Sequence, residues 1–194
     1  IGHAIDYKTF YKKIDSFSKK DFAIVSRISK SKNIEESIEG FLNSSASESS
    51  SILIIGGPLT NEDEDYYEYL LNIYKEHKNV SFIGPVPHSE LVNYLKNVSF
   101  HINNTDKGFY DKSVLETSVN GIINFYKNID YDKNIPSKYQ ENLKFDGSPS
   151  DLSNKISSIF SLDQNEFLEI IEHSQEEIKN ESLDTLLKRI TRVI

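Results

Sequence analysis

Five short apolar runs, each continuous rather than alternating, are set between segments of helical period. That alternation restricts the fold more than any other feature of the chain. The runs are Phe22 to Val25 (FAIV), Ile52 to Ile55 (ILII), Val80 to Ile83 (VSFI), Val98 to Ile102 (VSFHI) and Ile122 to Phe125 (IINF). A continuous apolar run of this length reads as a strand buried on both faces. Between the runs, Ile34, Ile38, Phe41 and Leu42 recur at helical spacing, as do Tyr67, Leu70, Leu71 and Tyr74, and then Leu91, Tyr94 and Leu95. The acidic run Glu62 to Asp65 suits a helix start, where the macrodipole is positive. Strands alternating with helices imply an α/β fold, a Rossmann-like doubly wound parallel sheet.

The rest of the chain fits around that unit. Residues 1–21 are polar and mixed, and read as an entry segment; residues 22–194 form one domain. Ser44 to Ser51 reads as a flexible connection, and residues 127–141 as irregular. Leu143 to Phe145 is expected as a last strand. Two helices follow, one on Leu152, Ile156 and Ile159, the other on Phe167, Ile170, Ile171 and Ile178. The stripe Leu183, Leu186, Leu187, Ile190 and Ile194 completes a terminal helical region, 163–194, that packs back on the domain.

Composition removes several function classes. The 194 residues include no Cys, which excludes disulfides, thiolate zinc sites and a Cys nucleophile. A net charge of −8 argues against general nucleic-acid binding, which depends on neutralising phosphates. No apolar run reaches the roughly 18 residues of a membrane span. The chain also lacks Met, even at position 1, and is read as a piece of a longer protein.

In a doubly wound sheet, ligands bind at the carboxyl ends of the strands, which here feed loops 26–33, 56–61, 84–90 and 103–113. Arg27, Lys30 and Lys32 follow the first strand. Cations there suggest an anion site; the plainer reading is a solvated turn. Lys112-Ser113-Val114-Leu115-Glu116 opens a helix that ends at Gly121, a natural position for a left-handed residue. Its N-terminal N–H groups suit a phosphate, with Ser113 as N-cap and Val114 and Leu115 offering amides. Glu116 could then accept from vicinal hydroxyls, or merely complement the dipole. No GxGxxG or P-loop is present, and Gly56-Gly57 alone is weak evidence. The five histidines lack metal-ligand spacing and read as structural or exposed. The Asp-x-Asp triplets Asp63-Glu64-Asp65 and Asp130-Tyr131-Asp132 do not directly follow a strand, so no metal site is expected.

Taken in order, VSRIxxxKN, ILIIGGP, NVSFIGPVPHSELVNYLKNVSFHI and DKSVLETSVNG, preceded by GxxID…F, resemble the C-terminal, donor-binding domain of family 4 glycosyltransferases (glycosyl transferases group 1). The likeness covers almost the whole chain, from Gly2–Phe10 to the Ser182-Leu183…Leu187…Ile190 pattern. It implies the C-terminal half of a GT-B fold, with residues 1–21 as an interdomain linker. It assigns Arg27 and Lys32 to the donor diphosphate as the catalytic pair. Ser113, Val114 and Leu115 fall on the helix start that meets the phosphates, and Glu116 on the acid that binds the ribose. Val86 falls on the loop edging the nucleobase. Gly57 and Asp106 complete the donor-binding set. The family's first motif Glu is replaced by Gly108, with Asp106 and Asp111 nearby as stand-ins, and its Pro after the helix by Ile123.

The resemblance implies retaining transfer of a sugar, of hexosyltransferase type, from a nucleotide diphosphate sugar to a glycan or lipid-linked acceptor, without a metal cofactor. A missing N-terminal domain of the same chain would hold the acceptor, so this part alone is expected to be inactive. A bacterial surface-polysaccharide pathway and a cytoplasmic location are expected, with peripheral membrane association through the missing domain. Arg27, Lys32 and Glu116 are expected to be largely exposed in one cleft. Two alternatives stay open: a non-catalytic Rossmann-like binding module, and a GT-B sugar-nucleotide epimerase that shares the site but not the transfer.

Overall fold

The apolar runs become five parallel strands in the computed structural model, which describes residues 4–18, 21–180, 182, 183, 185, 187 and 191. They are β1 (Asp21–Val25), β2 (Ile52–Ile55), β3 (Val80–Gly84), β4 (Val98–Asn103) and β5 (Ile123–Tyr126), in the sheet order β3-β2-β1-β4-β5. β1 pairs with β2 from Phe22↔Ile52 to Val25↔Ile55, and with β4 through Phe22↔Phe100 and Ala23↔His101. The chain winds outward from β1 to β3, returns past β1 and winds outward again through β4 and β5. The direction therefore switches between β1 and β4, and a crevice opens beyond their carboxyl ends.

Among the described residues the helices that cover the sheet include α1 (Tyr7–Phe10), α2 (Ile34–Leu42), α3 (Asn61–Tyr74), α4 (Leu91–Tyr94), α5 (Lys112–Val119), α6 (Ser137–Leu143), α7 (Pro149–Ile159) and α8 (Gln164–Lys179). The period-2 pleat divides the strand residues between two cores. Phe22, Ile24, Ile52, Ile54, Phe100 and Ile102 join the core built with α2, α3 and α7. Ala23 and Ile55 join the other, with Leu91, Leu95, Leu115, Val119 and Phe10; Val98 joins them because a register shift at the start of β4 takes it out of step with Phe100. Phe22 and Phe100 stack at 4.9 Å between ring centroids and are fully buried. Full burial of one such side chain is worth about 1.5–3 kcal/mol.

The acidic helix start is as expected: Thr60 caps α3, its hydroxyl accepting from the Asp63 N–H at 3.2 Å, and Glu62, Asp63 and Glu64 fill the first turn. The buried stripe of α3 differs from the expected one. It runs through Tyr66, Leu70 and Tyr74, while Leu71 is exposed and Tyr67 only half-buried. The hydroxyls explain this, because Tyr66 accepts from the Glu35 N–H at 3.3 Å and Tyr74 donates to the Glu35 carbonyl at 3.4 Å. Both rings are thereby tied to α2. Tyr94, expected inward on α4, is exposed as well.

Two connections are more ordered than their composition suggests. Ser45–Glu48 forms a 3-10 turn over buried Ala46, with the Ser44 hydroxyl donating to the Phe41 carbonyl. Residues 127–141, expected irregular, hold a 3-10 turn at Ile129–Asn134 and most of α6. Tyr131, Ile135, Tyr139 and Leu143, spaced by four, are all buried beneath the polar residues between them. Leu143–Phe145 is consequently not a strand: Leu143 ends α6, and the contact with the sheet is a single bridge, Tyr126↔Lys144.

The entry segment is packed against the domain. Asp6 caps α1, Phe10 is fully buried, and Gln175 on α8 donates to the Lys12 and Val119 carbonyls at 2.9 and 2.8 Å. Gly121 ends α5 with φ +80° and abuts Ile14 so closely that a Cβ would overlap it. Gly2, Leu186, Ile190 and Ile194 lie outside the described residues. Among those described, no helix is long and apolar enough to cross a membrane.

Candidate functional site

The loops leaving β1, β2 and β3 are laced together by their backbones. Ser26 N–H bonds the Ile55 carbonyl at 3.1 Å, Ile28 N–H the Gly57 carbonyl at 3.0 Å, and Gly56 N–H the Gly84 carbonyl at 3.0 Å. Gly56 makes this approach possible: its φ is +142°, and a Cβ there would drive into the Ser26 carbonyl. Across the switch, Asn33 Nδ2 donates to the Asn104 carbonyl at 2.8 Å, tying the loop after β1 to the loop after β4. A cleft of about 590 Å³ lies over this platform, at the carboxyl edge of the sheet.

Six of the expected site residues line it: Arg27, Lys32, Gly57, Val86, Ser113 and Glu116. Val114 and Leu115 point their side chains into the two cores and contribute only backbone. The Val114 N–H is also engaged, bonding the Asp111 carbonyl at 3.3 Å. Ser113 is not the cap of α5. Asp111 holds that position, its carboxylate taken up elsewhere, and Ser113 is the second helical residue. Lys112 and Ser113 occupy the turn whose N–H groups have no carbonyl within the helix. Asp106 is placed apart from the cleft lining, mostly exposed and paired with Lys127 at 2.6 Å. Lys30 faces a different groove, beside Glu35, Glu36, Glu62 and Asp65.

Exposure separates the three principal residues, against the expectation that all would be open. Arg27 is exposed. The Lys32 side chain is only 10% exposed, and its ammonium donates to Asp111 Oδ1 at 2.6 Å. Asp111 is held in turn by Asn103 Nδ2, which donates to Oδ2 at 2.9 Å, and Asn103 accepts from the Thr105 hydroxyl at 2.6 Å. This chain aims Lys32, leaving its remaining N–H donors for an anion. The Glu116 side chain is 7% exposed and meets His88 Nε2 at 2.9 Å. Sequence reasoning missed His88 and Asn33 and weighed Asp111 only as a stand-in. The sequence reads His88 as structural or exposed, since nothing near it in the chain signals the contact with Glu116, 28 residues on.

Beneath the cleft lies a second buried network. His101 on β4 is fully enclosed, and burial pushes its pKa down to about 4. Its Nε2 accepts from the Val25 N–H at 3.2 Å, so the ring hydrogen sits on Nδ1 and is donated to Asn124 Oδ1 at 2.6 Å. Asn124 in turn donates to the Ser118 hydroxyl at 2.9 Å, which donates to the Val114 carbonyl at 2.8 Å. Buried hydrogen bonds thus run from the end of β1 to the first turn of α5, the two arms that carry the cations and the helix terminus. Among the described residues, no group of three or more His, Asp or Glu side chains is placed to hold a metal ion.

No protein-family model matches the chain, and no curated protein matches its sequence. Solved structures do match. Anabaena Alr3699/HepE, in complex with UDP, superposes with a TM-score of 0.77 at 15% identity, over 98% of this chain and 55% of that one. The C-terminal domain of a glycosyl transferase group 1 family protein (LpcC) from Francisella tularensis gives 0.73 at 18% identity, over 93% of this chain and 100% of that one. The catalytic domain of the cholesterol-alpha-glucosyltransferase from Helicobacter pylori gives 0.63 at 21% identity, over 84% and 97%. The chain thus spans about half the length of the Anabaena protein and the whole of the Francisella domain. At such identities the likeness is one of fold: a Rossmann-like parallel sheet of the kind that forms the C-terminal half of a GT-B structure.

Proposed function

We propose that the chain is the donor-binding domain of a glycosyltransferase, and that its cleft takes the nucleoside diphosphate of a nucleotide sugar. One observation carries this reading: Arg27, Lys32 and the N-terminal turn of α5 meet in a single cleft at the strand switch of an otherwise acidic chain. Arg27 offers a planar fork for phosphate oxygens, and Lys32 a point charge already aimed by Asp111. Lys112 and Ser113 add helix N–H groups. Glu116, at the floor, accepts from the ribose hydroxyls, and Val86 with Gly57 flanks the base.

In transfer, charge grows on the leaving diphosphate, and fixed donors around it stabilise the transition state. The reading extends to retention at the anomeric carbon, with the cations and helix dipole doing the neutralising that a metal does elsewhere. A second domain would close the cleft and hold the acceptor, and this chain alone would bind weakly and transfer nothing. The non-catalytic alternative finds no favouring observation, since it leaves the convergence of cations unexplained. The epimerase alternative uses the same site and is separated by its product.

Calorimetric titration with UDP and GDP, beside uridine and guanosine, tests the reading. One diphosphate should bind in the micromolar to millimolar range, the bare nucleoside far more weakly, and EDTA should change nothing. No heat with either diphosphate at millimolar concentration would overturn it. Binding abolished by EDTA and restored by manganese would overturn the metal-free site.

A further inference from the structure

His88 joins the wall of the cleft to its floor. It stands in the loop after β3, two residues beyond Val86, and lines the cleft with it. Its Nε2 meets Glu116 Oε1 at 2.9 Å, from a ring 63% exposed to a carboxylate only 7% exposed. A carboxylate accepts, so Nε2 carries the hydrogen of this bond. The other side of the ring rests on Phe10 of the entry segment, with centroids 5.2 Å apart and planes tilted by 54°. Phe10 is itself fully buried, so the ring is backed by a fixed wall. A nearly buried carboxylate with one defined donor has one preferred orientation, which a mobile acid on an open surface lacks.

We propose that His88 is a positioning residue for the donor: it engages Glu116 Oε1, turns Oε2 toward the ligand, and so gives the site its preference for a ribose over a 2′-deoxyribose. The proposal rests on the nucleoside-diphosphate reading of the cleft. A ribose presents two vicinal hydroxyls, and a carboxylate accepts from both only when its plane is fixed. The same bond holds the Gly84–Glu90 loop, and with it Val86, against α5.

The test compares UDP with 2′-deoxy-UDP, or GDP with its deoxy counterpart if the protein binds GDP more tightly, on wild type, His88→Ala and His88→Gln, with inorganic diphosphate as a third probe. The ribonucleotide should bind wild type at least about tenfold tighter than the deoxynucleotide, the weight of one charge-assisted hydrogen bond. His88→Ala should collapse that ratio toward unity while leaving the inorganic diphosphate affinity unchanged. His88→Gln, whose amide can donate to the same oxygen, should retain most of it. A ratio in His88→Ala equal to that of wild type would overturn the inference and leave the diphosphate reading standing. An equal loss for all three probes with a lower melting temperature would overturn it too, because that is general loosening. Wild type that binds neither ribonucleotide would remove the reading and the inference together.

Discussion

Arg27 and Lys32 carry the same charge but differ in what they do for the fold. Arg27 is exposed, so Arg27→Ala should cost binding alone. A charge-assisted contact is worth about 1.5–3 kcal/mol, so the affinity for a nucleoside diphosphate should fall roughly tenfold to a hundredfold with an unchanged melting temperature. Lys32 is nearly buried against Asp111, so Lys32→Ala leaves a half-buried carboxylate without its cation. That variant should lose comparable affinity and also melt earlier, by the equivalent of about 1–3 kcal/mol. Calorimetry beside thermal melts separates the two, and equal melts would contradict the burial of Lys32. His101 makes a prediction in pH. Its folded pKa, near 4, lies below the ordinary value of 6.5, so between these values the unfolded chain binds a proton that the folded chain does not. Stability from this group is therefore complete above about pH 6.5 and is lost as pH falls toward 4, on the order of 3 kcal/mol in all. Carboxylates titrate in the lower part of this window, so the readout is a difference. Urea unfolding at pH 7 and pH 5 should show a smaller drop in His101→Leu, itself less stable, than in wild type. Equal drops would mean that the ring is not held neutral.

The strands were legible because β1, β2, β4 and β5 are buried on both faces, and apolar runs of four to six residues have few other uses. Loop order at the carboxyl edge followed from that, and with it the grouping of Arg27, Lys32, Ser113 and Glu116. Side-chain partners were not legible. Nothing local in the sequence announces that Asp111 will turn from capping α5 to holding Lys32, or that Glu116 will find His88, because both pairs form across the switch between loops far apart in the chain. Residues 127–141 read as irregular because the apolar stripe Tyr131, Ile135 and Tyr139 is diluted by Asp, Asn and Lys. The platform under the cleft depends on Gly56 more than composition suggested. Gly56→Ala would force a left-handed φ on an L-residue and push a methyl into the Ser26 carbonyl. We expect a loss of more than about 3 kcal/mol, a large share of a domain's total stability. A chemical denaturation curve checks it, and a midpoint near that of wild type would mean that the loops are not packed this closely.

The whole molecule is an acidic α/β domain in which Arg27, Lys32 and Lys112 line one cleft at the carboxyl edge of the sheet. Two layers of buried polar contacts support that edge: Thr105–Asn103–Asp111–Lys32 in the loops, and Val25–His101–Asn124–Ser118 below them. Such networks cost desolvation and keep their value only when satisfied, which suits a site that must be rigid before its ligand arrives. The fold is shared with longer proteins, of which this chain spans about half in the Anabaena case. Binding of a nucleoside diphosphate at this edge is checked residue by residue in an amide-resolved NMR titration with UDP, then GDP. The amides of Arg27, Gly57, Val86, Ser113 and Glu116 should shift together and saturate with one dissociation constant. Shifts confined to other faces of the domain, or none at millimolar ligand, would contradict it.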